Sequence, residues 1–184
     1  MLPTPAPPAS RRSLSPQVQF LLTVGALYLG WLVLYEGGLA PDGRLDSWLS
    51  DNIAVASGGF LHVLGFAAIG ATDADSGMPT VFMDGRPAVL VGNPCNGLAI
   101  YAIFAGFIVA FPGHWRAKLW FIPAGIVLLY FINIGRVAAL ALNHHYAHRS
   151  VDFNHHYTFT VLVYACICVL WMLWVRRYGA PAAE

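Results

Sequence analysis

The sequence predicts an all-α integral membrane protein, with about four transmembrane helices, an interfacial helix and a short extracytoplasmic β-hairpin. Three observations carry this reading. Of 184 residues, 58% are hydrophobic and 10% charged, whereas a soluble domain carries about 25% charged residues. Four apolar runs, about 18–35, 96–111, 119–142 and 156–175, approach the ~20 residues that cross a ~30 Å hydrocarbon core. Basic residues cluster as Arg11/Arg12, Arg116/Lys118 and Arg176/Arg177, and such flanks mark the cytoplasmic side. All three clusters share that side only if the chain crosses four times and residues 53–71 do not cross.

Residues 1–16, rich in Pro, Ala and Ser, bury no core and read as a disordered cytoplasmic tail. Residues 17–178 form a single membrane-embedded domain, and 179–184 a short C-terminal tail. The first apolar run is too long for a signal-peptide core, which makes it a retained helix. Residues 36–52, with Glu36, Gly37, Gly38, Pro41, Asp42, Gly43, Asp46 and Asp51, read as an acidic, turn-rich connection. Residues 53–71 read as a helix whose greasy face (Leu61, Leu64, Phe66) lies in the outer interface. His62 belongs to its polar side. Thr80–Met83 and Pro87–Val91 are strand-like, and Asp84-Gly85 between them is a hairpin signal. An open two-stranded edge has no place in hydrocarbon, so the hairpin lies outside the lipid and delivers the chain to Cys95. Pro112-Gly113 ends the second span, and residues 143–155 form a polar loop before the last.

Several function classes are excluded by pattern. No phosphate-binding loop, HExxH, GxSxG or CxxC motif occurs, and the scattered basic residues give no nucleic-acid surface. Cys166 and Cys168 sit in the last apolar run and make no disulfide framework with Cys95. Cys95 stands out because Gly92-Asn93-Pro94-Cys95-Asn96-Gly97 opens a membrane helix. With Asn93 as cap and Pro94 in the first turn, unpaired N–H groups at the helix start would favour its thiolate. Arg136 is the strongest single clue. An arginine at the centre of a membrane helix costs ~2.5 kcal/mol or more on insertion scales, so such residues usually serve a function. Asn133, three residues earlier, shares its face. The expected topology brings Cys95, Arg136 and His156 to one level near the outer leaflet.

Pro94-Cys95-Asn96-Gly97, then Asn133-x-x-Arg136, then His156 is an order and spacing that resembles the exosortase/archaeosortase family of membrane-embedded cysteine transpeptidases. A short bacterial branch is the nearest likeness. The resemblance covers roughly residues 50–177 and includes Leu64-Gly65 ahead of the hairpin. Two departures are the Gly-Trp after the histidine in larger members, where Thr160 and Val161 stand here, and their additional N-terminal helices. The resemblance implies Cys95 as nucleophile, Arg136 as oxyanion stabiliser and His156 as general acid/base, with no cofactor. His155, Asn133 and Asn96 are possible supports. Neighbouring helical residues point about 100° apart, so only one of His155 and His156 faces Cys95. The implied partners are exported proteins with a C-terminal sorting signal (a short motif, a membrane helix and a basic tail) and an acceptor nucleophile. The implied location is the bacterial cytoplasmic membrane, with the site facing outward.

Two other readings come from different classes. His144, His145, His148, His155, His156 and Asp152 cluster in sequence, as in a metal- or haem-binding membrane protein. That reading leaves Cys95 and Arg136 without roles. The other is a non-catalytic membrane assembly factor.

Overall fold

The computed structural model describes residues 14–146 and 159–179. The first helix, α1 (Pro16–Leu34), continues through a π-helical turn (Tyr35–Leu39) and a last turn, Ala40–Asp42. Ser15 caps its start, the hydroxyl accepting from Val18 N–H, and Pro16 occupies the first turn, where its missing N–H leaves nothing unpaired. Gly43, at φ +66°, redirects the chain into α2 (Arg44–Val63). A three-stranded antiparallel sheet follows, β1 (Ala68–Thr72), β2 (Pro79–Met83) and β3 (Arg86–Leu90), in that order. A 3-10 turn (Asn93–Cys95) leads into α3 (Leu98–Ala110), then α4 (Trp115–Tyr146) and α5 (Phe159–Tyr178).

Among the described residues, three helices are long and apolar enough to cross a membrane: Pro16–Asp42, Trp115–Tyr146 and Thr160–Tyr178. The span expected over 96–111 is helical only for the 13 residues of α3, about 20 Å long. At that length α3 falls short of a ~30 Å hydrocarbon core. The 32 residues of α4 reach about 48 Å, so one end projects well beyond a ~30 Å core.

Two expectations for residues 36–71 are corrected. The turn-rich connection is helical on both sides of Gly43. The helix expected over 53–71 begins nine residues earlier, at Arg44, and stops at Val63. Its end is dictated by Gly65 at φ +92°: Gly65 N–H bonds His62 O and Phe66 N–H bonds Leu61 O, the paired closure that a left-handed glycine allows. The chain released there forms β1, so the expected hairpin is a three-stranded sheet. The Asp84-Gly85 turn is as read, with both residues at positive φ, as a two-residue hairpin requires. In the β1–β2 loop, hydrogen bonds from Ser76 hold the Asp73 carboxyl below its ordinary range.

The core has two parts. Near the sheet, Ile53, Leu61, Val81, Met83, Val91 and Cys95 pack on Val137 and Ala141. Deeper in the bundle, Phe104, Ile108, Leu129, Ile167 and Trp174 form the second cluster. One end of the bundle brings together the basic segments around Lys118 and Arg176/Arg177. Phe20 packs on Phe107 and Phe111, Gly113 abuts Trp174, and Lys118 Nζ donates to Val109 O and Phe111 O at 2.8 Å. Lys118 thus caps the C-terminal carbonyls of α3.

The sheet docks on α2 through two glycines. A Cβ at Gly58 would strike the Gly70 backbone, and one at Gly70 would strike that of Ala54. A Cβ at the adjacent Gly59 would meet nothing within 4 Å. Gly58→Ala is therefore expected to destabilise by about 1–3 kcal/mol or more through overpacking. Gly59→Ala should be neutral or stabilising by up to about 1 kcal/mol from helix propensity. Thermal unfolding of the detergent-solubilised pair checks this, and equal melting temperatures would contradict the docking.

Candidate active site

Cys95 closes the 3-10 turn, its N–H bonded to Gly92 O at 2.8 Å. Pro94 is tolerated there because an N–H at that position has no partner in the turn. The expected cap is corrected: Asn93 opens the 3-10 turn rather than α3, and it is Asn96 whose Oδ1 accepts from Leu98 N–H at 2.9 Å. Cys95 therefore sits ahead of α3 rather than in its first turn, and the first N–H of α3 is already taken. Gly97, at φ +88°, makes the corner between turn and helix, and the Tyr101 hydroxyl lies 2.7 Å from where a Cβ would stand. Both facts demand glycine.

From α4, Asn133 Nδ2 donates to Cys95 O at 2.8 Å, while Asn133 Oδ1 accepts from Arg136 Nη1 at 3.3 Å. The three-residue spacing makes this possible, since both side chains leave one helical face. Cys95, Asn96, Asn133 and Arg136 are all buried, Arg136 with only 8% of its surface exposed. No carboxylate pairs with Arg136 among the described residues, and its Nε is buried without a hydrogen-bond partner. The guanidinium is held by a neutral amide with most of its donors uncommitted.

A third buried group, which the sequence reading missed, stands on the other side. Asp46, on α2, accepts at Oδ1 from Asn96 Nδ2 at 2.6 Å and at Oδ2 from the Tyr35 hydroxyl at 3.1 Å. It is 2% exposed. The signal was available: Asp46, Leu49, Ser50, Ile53, Ala54, Ser57, Gly58 and Leu61 are the buried positions along α2, a helical stripe masked by its polar and small members.

The structure thus brings together Cys95, Asn96, Asn133 and Arg136. His155 and His156 lie outside the described residues, as do His148 and Asp152 of the alternative metal cluster. His144 and His145 belong to the last turn of α4, extending that helix past its expected end, and His145 Nε2 stands 3.1 Å from Asp84 Oδ2 in the hairpin turn. Among the described residues, no three His, Cys, Asp or Glu side chains are grouped to hold a metal.

No curated protein and no solved structure gives a significant match to this chain. A family model for transmembrane exosortases (Exosortase_EpsH) matches residues 14–173. The match extends past the expected start near residue 50 to take in α1, α2 and the sheet as well as the Cys95 turn and the Asn133–Arg136 face. With most of its length matched, the chain belongs to the transmembrane exosortase family.

Proposed function

We propose that this exosortase is a membrane-embedded cysteine peptidase or transpeptidase that cleaves C-terminal sorting signals of exported proteins on the outer side of the cytoplasmic membrane. One observation carries the reading: Asn133 bonds the Cys95 carbonyl with its donor and Arg136 with its acceptor. The backbone of the cysteine and an uncompensated cation are thereby tied to one buried amide, which supports the pairing of a nucleophile with an oxyanion stabiliser.

In the proposed reaction His156 takes the Cys95 proton and the thiolate attacks the scissile carbonyl. The oxyanion accepts hydrogen bonds from Arg136. The C–N bond then breaks as His156 returns the proton to the leaving amine, giving a thioester on Cys95. Water or an acceptor amine displaces the thioester and restores the thiol, so hydrolysis and transfer share every step before the last. His155 is the alternative base.

Helix lengths support an interfacial site. Asn133 lies about 27 Å above Trp115 and Tyr35 about 28 Å above Pro16 along their helices, close to the ~30 Å depth of a hydrocarbon core. With the basic end in the cytoplasm, Cys95 stands at the outer boundary, and the sheet and the end of α4 project outward. There a substrate's peptide bond, just outside its own membrane helix, meets the thiol.

Mass spectrometry of the C-termini of exported proteins should show substrates retaining their membrane helix in Cys95→Ala cells. The processing rate should fall about 10²–10³-fold in Arg136→Ala, as for loss of an oxyanion donor. Near-native processing in Arg136→Ala, with none in Cys95→Ala, would remove Arg136 from the mechanism. Unaltered C-termini in Cys95→Ala would point to the assembly-factor reading. Asn133→Ala should cost about 1–3 kcal/mol, because it strands a buried carbonyl and a buried guanidinium, and should slow processing at temperatures where the protein remains folded. An unchanged melting temperature and rate would show that the bridge matters to neither.

A further inference from the structure

We propose that Asp46 is a positioning residue for Cys95, acting through Asn96, and that Tyr35 ties this support to the far end of α1. The proposal rests on the assignment of Cys95 as nucleophile for its bearing on catalysis, but its geometry does not depend on that assignment.

The Asn96 carboxamide is committed at both ends. Its Nδ2 donates to Asp46 Oδ1 at 2.6 Å and approaches Asp46 O at 3.5 Å, while its Oδ1 accepts from Leu98 N–H. Rotating it by half a turn would set oxygen against oxygen at Asp46 and N–H against N–H at Leu98, so the orientation is fixed. The peptide joining Cys95 to Asn96 is held from α4 by Asn133 and, through the Asn96 side chain, from α2 by Asp46. Gly92 O holds the Cys95 N–H. The nucleophile's backbone is thus clamped from three directions, and Asp46 is the only acid in the clamp among the described residues. Its second oxygen is engaged by Tyr35, in the π-helical turn that departs from regular α1; such turns are frequent at functional sites. No residue of the α-helical part of α1 is buried, so the Tyr35 bond is a specific tie between that helix and the site.

A carboxyl group serving only as a staple between helices would leave Cys95 unaffected. A positioning role predicts that loosening Asn96 frees the Cys95 turn and opens a buried thiol to reagents. The experiment measures alkylation of Cys95 by iodoacetamide in full-length protein carrying Cys166→Ser and Cys168→Ser. Loss of a hydrogen bond to this buried group should raise the open population, and so the Asp46→Ala alkylation rate, roughly tenfold. Asp46→Asn keeps an oxygen for Asn96 and an amide for Tyr35, and should stay within about twofold of the parent. Ser57→Ala removes a different buried bond of α2, to Ile134 O, and should leave the rate unchanged. An unchanged rate in Asp46→Ala overturns the proposal. So does an equal acceleration in Ser57→Ala, or in Asp46→Asn, because the rate would then follow stability or charge rather than the Asn96 contact. If Cys95→Ala cells still process exported proteins while Asp46→Ala shows its faster alkylation and Asp46→Asn does not, the peptidase reading fails and the positioning role stands.

Discussion

A single neutral carboxamide, that of Asn133, holds a cation in the core of this protein without cancelling its charge. Burying a guanidinium is expensive unless it is hydrogen-bonded, and the usual solution is a carboxylate partner. Here the partner is an amide oxygen, which orients Arg136 and leaves its positive charge for whatever enters the site. The same amide's donor fixes the Cys95 carbonyl, so the two groups are not positioned independently. A shift of α4 against the Cys95 turn would disturb both at once.

Much of the remaining architecture reads as support for that arrangement. Helix α2 carries a polar and small-residue face because it must meet both the Cys95 turn, through Asp46, and a closely docked sheet, through Gly58. The sheet's approach is close enough that two glycines are needed. Gly97, in the left-handed region, turns the chain sharply from the cysteine into α3. Lys118 ties down the other end of α3, which gives a residue of one basic cluster a structural duty.

The residues that the structure brings together around Cys95 were more legible in the sequence than the scaffold that holds them. Cys95, Asn133 and Arg136 were legible because each is costly or unusual in an apolar run, and a polar residue retained there announces itself. The hairpin was legible from Asp84-Gly85, where backbone geometry demands special residues. Residues 44–52 were not legible as helix, because the buried stripe of α2 begins with Asp46, Leu49 and Ser50, and one leucine between two polar residues gives hydrophobic periodicity little to detect. Strand β1 was hidden for the opposite reason: Ala68, Ile69 and Ala71 continue the apolar character of the helix before them, and only the left-handed Gly65 separates the two. Asn96 was singled out beside the cysteine, and it is buried and hydrogen-bonded at both ends. Its role in capping α3 was assigned instead to Asn93, since either asparagine satisfies the composition of a cap and only the conformation at Gly97 decides between them.

As the nucleophile of the proposed reaction, Cys95 would carry a covalent acyl intermediate. The most direct measurement is to acid-quench membranes from cells expressing the protein, digest it, and search by mass spectrometry for the peptide containing Cys95. The expected result is a hydroxylamine-labile adduct on Cys95 that carries the newly formed C-terminus of an exported protein. That adduct should be missing in Arg136→Ala, where the oxyanion is no longer stabilised. Processing that continues in native cells with Cys95 unmodified, or with the adduct on another residue, would contradict the claim.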